Sequence, residues 1–157
     1  MPHKDRVEGI VRSTKPLSCQ GRLIEGITMR FAGGRIVEAN AEKGQEVLRK
    51  VLDTDEGAHH LGEVALVPAS SSIAKNGLLF YNVLYDENAA SHIALSQAYS
   101  TCFVNGTSLT PAELDAKGAN RSLIHVDWMI GSPNVDVDGI AATDSTAVPL
   151  MRASKWV

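Results

Sequence analysis

The chain has 157 residues, 44% of them hydrophobic and 21% charged, with a formal net charge of −3 and a pI near 5.9. That length suits one compact domain or one large piece of a bigger enzyme. No basic patch points to nucleic acid, no long like-charge run marks a tail, and no stretch of about 18 apolar residues is available to cross a membrane. The polar opening Met1-Pro2-His3-Lys4-Asp5-Arg6 lacks the apolar centre of a signal peptide, so the expected location is the cytoplasm. Cys19 and Cys102 lie far apart and are expected as free thiols rather than as a disulfide.

In chain order, residues 7–13 and 21–32 read as strands, the second because Ile27, Met29 and Phe31 alternate with polar or small residues. Gly33-Gly34 is a two-residue hairpin signal, and Arg35-Ile36-Val37-Glu38 returns as a strand. Residues 42–53 read as a helix from the stripe Val47, Leu48, Val51 and Leu52, with Gly44 weakening its first turn. Residues 63–67 form an apolar strand stopped by Pro68, 69–77 a loop, and 78–84 a strand-like segment. Residues 86–99 (DENAASHIALSQAY) read as a helix with its acids at the start. A short helix is expected at 111–114, with Thr110 as its cap and Pro111 at its first position. Strands at 122–130, near 135–138 and at 148–151 complete an α+β chain with a mixed, mostly antiparallel sheet and a few helices.

The chemistry concentrates in three segments. On a strand, His125 and Asp127 of SLIHVDWMI project to the same face of an otherwise apolar element. Such groups need each other, a backbone donor or a metal; a hydrogen-bonded His–Asp pair and a ligand pair fit equally. Glu87 and His92 fall in the first turns of the expected helix, with Tyr99 about two helical turns beyond His92. Taken singly, they are a helix-start charge and a satisfied core histidine. Glu63 opens an apolar strand, where an exposed edge charge is the ordinary reading. Together, Glu63, Glu87, His92, His125 and Asp127 supply three carboxylates and two imidazoles, a set suited to zinc, cobalt or manganese and sufficient for two ions.

The blocks LGEVALVP (61–68), DENAASHIAL (86–95) and HVDWMIGS (125–132), in this order and spacing, resemble the thermophilic aminopeptidases of peptidase family M29, over nearly the whole chain. The resemblance implies a cocatalytic metal aminopeptidase acting on peptides with a free N-terminus, with two divalent ions (zinc or cobalt, with manganese or magnesium as further candidates). It implies Glu63, Glu87, His92, His125 and Asp127 as metal ligands, Glu63 as the carboxylate shared between the ions, Tyr99 and Glu63 as catalytic groups, and a homodimer. Family members are much longer. They carry a large N-terminal domain and one further glutamate ligand ahead of the segment that resembles Pro2-His3-Lys4. Residues 1–157 are therefore expected to form a single domain holding most, but not all, of such a site, or else a non-catalytic metal-binding or dimerisation remnant. Ser72 stands where the family usually has proline, Ser96 near a usual glycine and Ser145 in place of another usual residue, none of them expected to touch a ligand. His59-His60 is expected at the surface.

Overall fold

The computed structural model describes residues 1–157. β1 (Gly9–Arg12) is followed by a hairpin of β2 (Leu17–Cys19) and β3 (Arg22–Ile24), then by β4 (Thr28–Ala32) and β5 (Arg35–Asn40). β1, β4 and β5 form an antiparallel sheet in that spatial order. Gly33 and Gly34, at φ 55° and 80°, close the β4–β5 turn in the left-handed region that such hairpins require. α1 (Gln45–Leu52) buries its stripe of Val47, Leu48, Val51 and Leu52. Gly44 lies just before this helix at φ 74°, and a Cβ there would come within 2.7 Å of the Leu23 carbonyl oxygen, so glycine is what lets the helix start against the hairpin.

The remaining elements are β6 (Leu61–Ala65), α2 (Ser72–Asn76), α3 (Val83–Asp86), β7 (His92–Ser96), α4 (Pro111–Ala116), β8 (His125–Met129), β9 (Val137–Ile140), β10 (Ala147–Arg152) and β11 (Lys155–Trp156). β6, β7 and β8 make a second antiparallel sheet with β7 in the middle, and β9, β10 and β11 a third. α4 carries the expected cap as a full capping box: Glu113 N–H donates to Thr110 Oγ1 at 3.3 Å, and the Glu113 carboxylate accepts from Thr110 N–H at 2.8 Å. Leu61, Ile93, Leu95 and Trp128 of the β6-β7-β8 sheet join Met29, Phe31, Ile36 and the α1 stripe in one apolar cluster. Each large side chain buried there contributes about 1.5–3 kcal/mol. No helix is long and apolar enough to cross a membrane.

The α+β architecture and the opening hairpins agree with the sequence reading, but several boundaries differ. The 21–32 strand is two strands, split around Gly26 at φ 63°. The expected loop at 69–77 contains α2, capped by Ser71 Oγ and ended by Gly77 at φ 66°. No strand forms at 78–84. The Asp86 carboxylate accepts the N–H groups of Phe80 at 2.7 Å and Asn82 at 3.0 Å, so a side chain satisfies backbone donors that a ladder would otherwise take.

The largest correction is the expected helix 86–99. Its first residues form a 3-10 turn, Glu87–Ala89, and the rest is strand β7. All five residues of β7 are buried; His92, Ala94 and Ser96 alternate with Ile93 and Leu95 as a strand requires, but the run is only five residues long, and the Ala-rich, acid-led stretch around it has the propensity of a helix. Tyr99 therefore lies in the loop after β7, not two helical turns from His92.

Candidate metal centre

The pairing register of β6, β7 and β8 assigns the side chains to faces. Glu63 lies opposite Ala94, and Ala94 opposite Asp127, so two carboxylates flank one methyl group across three strands. His92 is one step of two residues along β7 from Ala94, and His125 one such step along β8 from Asp127; all share that face. The interleaved residues Ile93, Leu95, Val126 and Trp128 point the other way, into or against the apolar cluster. Glu87 reaches the same face from the 3-10 turn that leads into β7. Ala94, completely buried and small, leaves the space that these side chains enclose.

The donor atoms fall into two groups, each with its atoms within 4.8 Å of one another: Glu63, His125 and Asp127, and Glu87, His92 and Asp127. Asp127 belongs to both. Glu63 also spans the pair, with Oε1 at 3.5 Å from His92 Nε2 and Oε2 at 3.7 Å from His125 Nε2. The structure thus places two carboxylates, not Glu63 alone, between the histidines. His125 Nε2 is 3.2 Å from Asp127 Oδ1.

Backbone carbonyls set the histidine tautomers. His125 Nδ1 is 2.7 Å from the Gln97 oxygen and His92 Nδ1 is 3.3 Å from the Ala90 oxygen. A carbonyl only accepts, so each Nδ1 carries a proton, and Nε2 is the ring atom turned toward the carboxylates, where it could offer its lone pair to a cation. No lysine or arginine pairs with Glu63, Glu87 or Asp127. Carboxylate oxygens gathered around two Nε2 atoms in a half-buried space call for a cation or for protons between them, and without a cation the His125–Asp127 hydrogen bond takes a proton on Nε2; the donor set is one that a divalent-metal site has.

The electrostatics agree. Burial, then the charges of Asp127 and Glu63, push the Glu87 carboxyl above its ordinary range despite the opposing pull of His92. Burial, then Asp127, Glu63 and Glu87, push the Tyr99 phenol up, which keeps it protonated at neutral pH. Burial alone would depress His125, but its hydrogen bonds with Asp127 and Gln97 outweigh burial and raise it.

Glu63, Glu87, His125 and Asp127 line a cavity of about 550 Å³ with Tyr99, Val83 and Leu84. The Tyr99 ring packs on the His125 ring at a centroid distance of 4.6 Å and is itself half exposed, so its hydroxyl is accessible. The turn of the β2–β3 hairpin, with Ser18, Cys19 and Gln20, forms another wall. Cys19 and Cys102 are both free, and Cys102 is exposed.

Sequence reading missed the supports of this site. Gln97 acts through its carbonyl, which no side-chain pattern reveals. Its side-chain oxygen accepts Ser122 N–H at 2.9 Å. Asp55 accepts from Ser122 Oγ at 2.8 Å, Leu123 N at 2.7 Å and Ala58 N at 2.9 Å, tying the entry of β8 to the turn before β6. Asn120, buried, donates to the carbonyls of Ser96 at 2.5 Å and Gly57 at 2.7 Å. Only Asp55 left a trace in the sequence, as a cap signal three residues ahead of Ala58.

The three serine departures also find places. Ser72 is the first residue of α2, a position where proline is favoured, and Ser96 and Ser145 hold φ of 85° and 59°, where glycine is at ease. Ser96, contrary to expectation, is the ladder partner of His125. His59 and His60 are half-buried and stand outside both donor groups; His60 Nδ1 bonds the Lys4 carbonyl at 3.0 Å.

Known proteins resemble the chain over nearly its whole length. Aminopeptidase T of Thermus aquaticus is 58% identical over 156 residues, which is 99% of this chain and 38% of that protein. Aminopeptidase 2 of Geobacillus stearothermophilus is 51% identical over the same share of each. The solved structure of wild-type AmpT from Thermus thermophilus superposes with a TM-score of 0.90 at 56% identity, covering 99% of this chain and 38% of that one. The chain thus spans 38% of the length of these relatives. A sequence model of the family described as thermophilic metalloprotease (M29) matches residues 1–156, and the chain belongs to that family.

Proposed function

We propose that this chain carries the dinuclear metal centre of an aminopeptidase, which removes the N-terminal residue from peptides with a free α-amine. The observation that carries the reading is the convergence of two Nε2 atoms, each fixed by a carbonyl on Nδ1, with three carboxylates in two groups that share Asp127. In this reading Glu63, His125 and Asp127 would hold one ion and Glu87, His92 and Asp127 the other. Imidazole with carboxylate suits zinc or cobalt, with manganese or magnesium as further candidates. When bound, such ions lower the pKa of water toward neutrality and polarise a carbonyl.

The chain's own residues supply the rest. The Tyr99 phenol, kept protonated, donates a hydrogen bond to the scissile carbonyl oxygen as negative charge develops there; one such donor is worth about 3 kcal/mol. Glu63, within reach of both histidines, takes the proton of the attacking water and delivers it to the leaving amine. With the carboxylates holding two divalent ions, a free α-amine in its neutral form would be a ligand for one of them, which an internal peptide nitrogen is not, and this is the basis of exopeptidase action. The names of the relatives, both aminopeptidases, support the same reaction. The test is hydrolysis of a leucyl anilide by the chain loaded with zinc or cobalt. Turnover that disappears in Tyr99→Phe and in Glu63→Gln supports the reading. Metal uptake without turnover favours a non-catalytic metal-binding module, and absence of both contradicts it.

A further inference from the structure

A second cavity, of about 690 Å³, lies on the other side of Tyr99 and is lined by Gln97, Ala112, Leu114, Asn120 and Arg121 among others. Its size falls within the range of small-molecule sites, about 300–1,000 Å³. Tyr99 lines both cavities. Gln97 joins them too, since its carbonyl accepts from His125 while the residue forms part of the second wall.

The two cavities differ in charge: the second is lined by one acid, Asp115, and one base, Arg121. The first gathers Glu63, Glu87 and Asp127. In the second, Asp115 is ion-paired with Lys4, and the Asn120 amide is committed to two backbone carbonyls. Arg121 makes no ion pair and no side-chain hydrogen bond, so it is the uncommitted cation of that space. Its backbone is held on both sides, by Asn120 on the Ser96 and Gly57 carbonyls and by Ser122 on Asp55 and Gln97. Arg121 is exposed, with its side chain free to turn, and its guanidinium can take a carboxylate with two parallel hydrogen bonds.

We propose that this second cavity is a subsite for the C-terminal carboxylate of a short peptide, with Arg121 as its recognition group. The inference rests on the aminopeptidase reading and names its substrate class. A short peptide has its α-amine at one end and its carboxylate at the other: in the metal-free chain the cationic amine matches the acidic cavity, with ions bound the neutral amine would be their ligand, and in both cases the carboxylate falls to Arg121 with Tyr99 between. Two cavities that share one wall residue call for a ligand of only a few residues, because each extended residue advances about 3.3–3.6 Å. Long or C-terminally blocked peptides forgo the Arg121 contact.

The test is an NMR titration of the metal-free chain with Leu-Gly-Gly and with Leu-Gly-Gly-amide, which reads binding without turnover. The free acid is expected to bind about tenfold tighter than the amide, the scale of a charge-assisted pair. Arg121→Gln, which breaks no internal contact, is expected to erase that preference by weakening the acid alone, and Arg121→Lys to retain most of it. Equal binding of acid and amide, binding of neither, or an unchanged preference in Arg121→Gln would overturn the subsite. A chain that takes up metal and hydrolyses a leucyl anilide but treats acid and amide alike would sink this inference alone. One that discriminates through Arg121 yet never takes up metal would sink the aminopeptidase reading alone.

Discussion

On one face of the β6-β7-β8 sheet, Leu61, Ile93, Leu95 and Trp128 close against α1 and the β1-β4-β5 sheet; on the other, Glu63, His92, His125 and Asp127 crowd around Ala94. The two sets alternate along β7 and β8, and on β6 a register shift between Leu61 and Glu63 turns these two residues to opposite faces. The apolar face gains free energy by leaving water. The donor face confines like-charged carboxylates without a lysine or arginine to offset them. One face therefore holds the sheet together, and it positions a second face that is unfavourable until a cation arrives.

Substitutions on the two faces should separate these roles. Leu95→Ala, which empties a fully buried position, is expected to cost about 2–5 kcal/mol in urea unfolding of the metal-free chain. His125→Ala is expected to do the reverse. Zinc affinity in a competition titration should fall by more than about 100-fold, beyond what loss of an outer partner causes. Metal-free stability should change by less than about 1 kcal/mol. Cys102→Ser, at an exposed thiol, should change neither quantity.

Asp55 joins the two faces from the edge, because it ties the turn before β6 to the entry of β8. Asp55→Ala is expected to cost about 1–2 kcal/mol. Burial would raise the Asp55 carboxyl, but the hydrogen bonds from Leu123, Ser122 and Ala58 outweigh it and hold the pKa below the usual range. A folded pKa below the unfolded value, about 3.9, means that the stabilisation is complete above that value. It is lost as pH falls through the depressed folded pKa. Acid unfolding profiles of the wild type and Asp55→Asn should therefore converge at the acidic end and diverge above it.

An effect of the opposite sign is expected at Ser96→Gly, where a left-handed φ of 85° and a buried hydroxyl without a partner both favour glycine; a gain of about 1 kcal/mol is expected by thermal unfolding.

The sequence exposed the donor set more clearly than the scaffold that aims it. His125 and Asp127 were legible because β8 is a true strand, and a spacing of two residues puts both on one face. Glu87 and His92 were found as chemistry but placed on the wrong element. The period-two alternation of His92, Ala94 and Ser96 with Ile93 and Leu95 is there, but over five residues it is outweighed by the acids ahead of it and the alanines, which favour a helix. The strand expected at 78–84 failed for a separate reason: the buried Asp86 carboxylate supplies the acceptors that a neighbouring strand would have provided. The carbonyls of Gln97 and Ala90 that set the histidine tautomers carry no residue-type signal at all, since every residue has one.

The central claim is that the donor face is one dinuclear centre in which Asp127 serves both ions. Elemental analysis of zinc-loaded wild type and Asp127→Asn, after removal of free metal, tests it most directly. The account predicts about two ions per wild-type chain and loss of both in Asp127→Asn. Equal metal content in the two proteins, or none in the wild type, would contradict it.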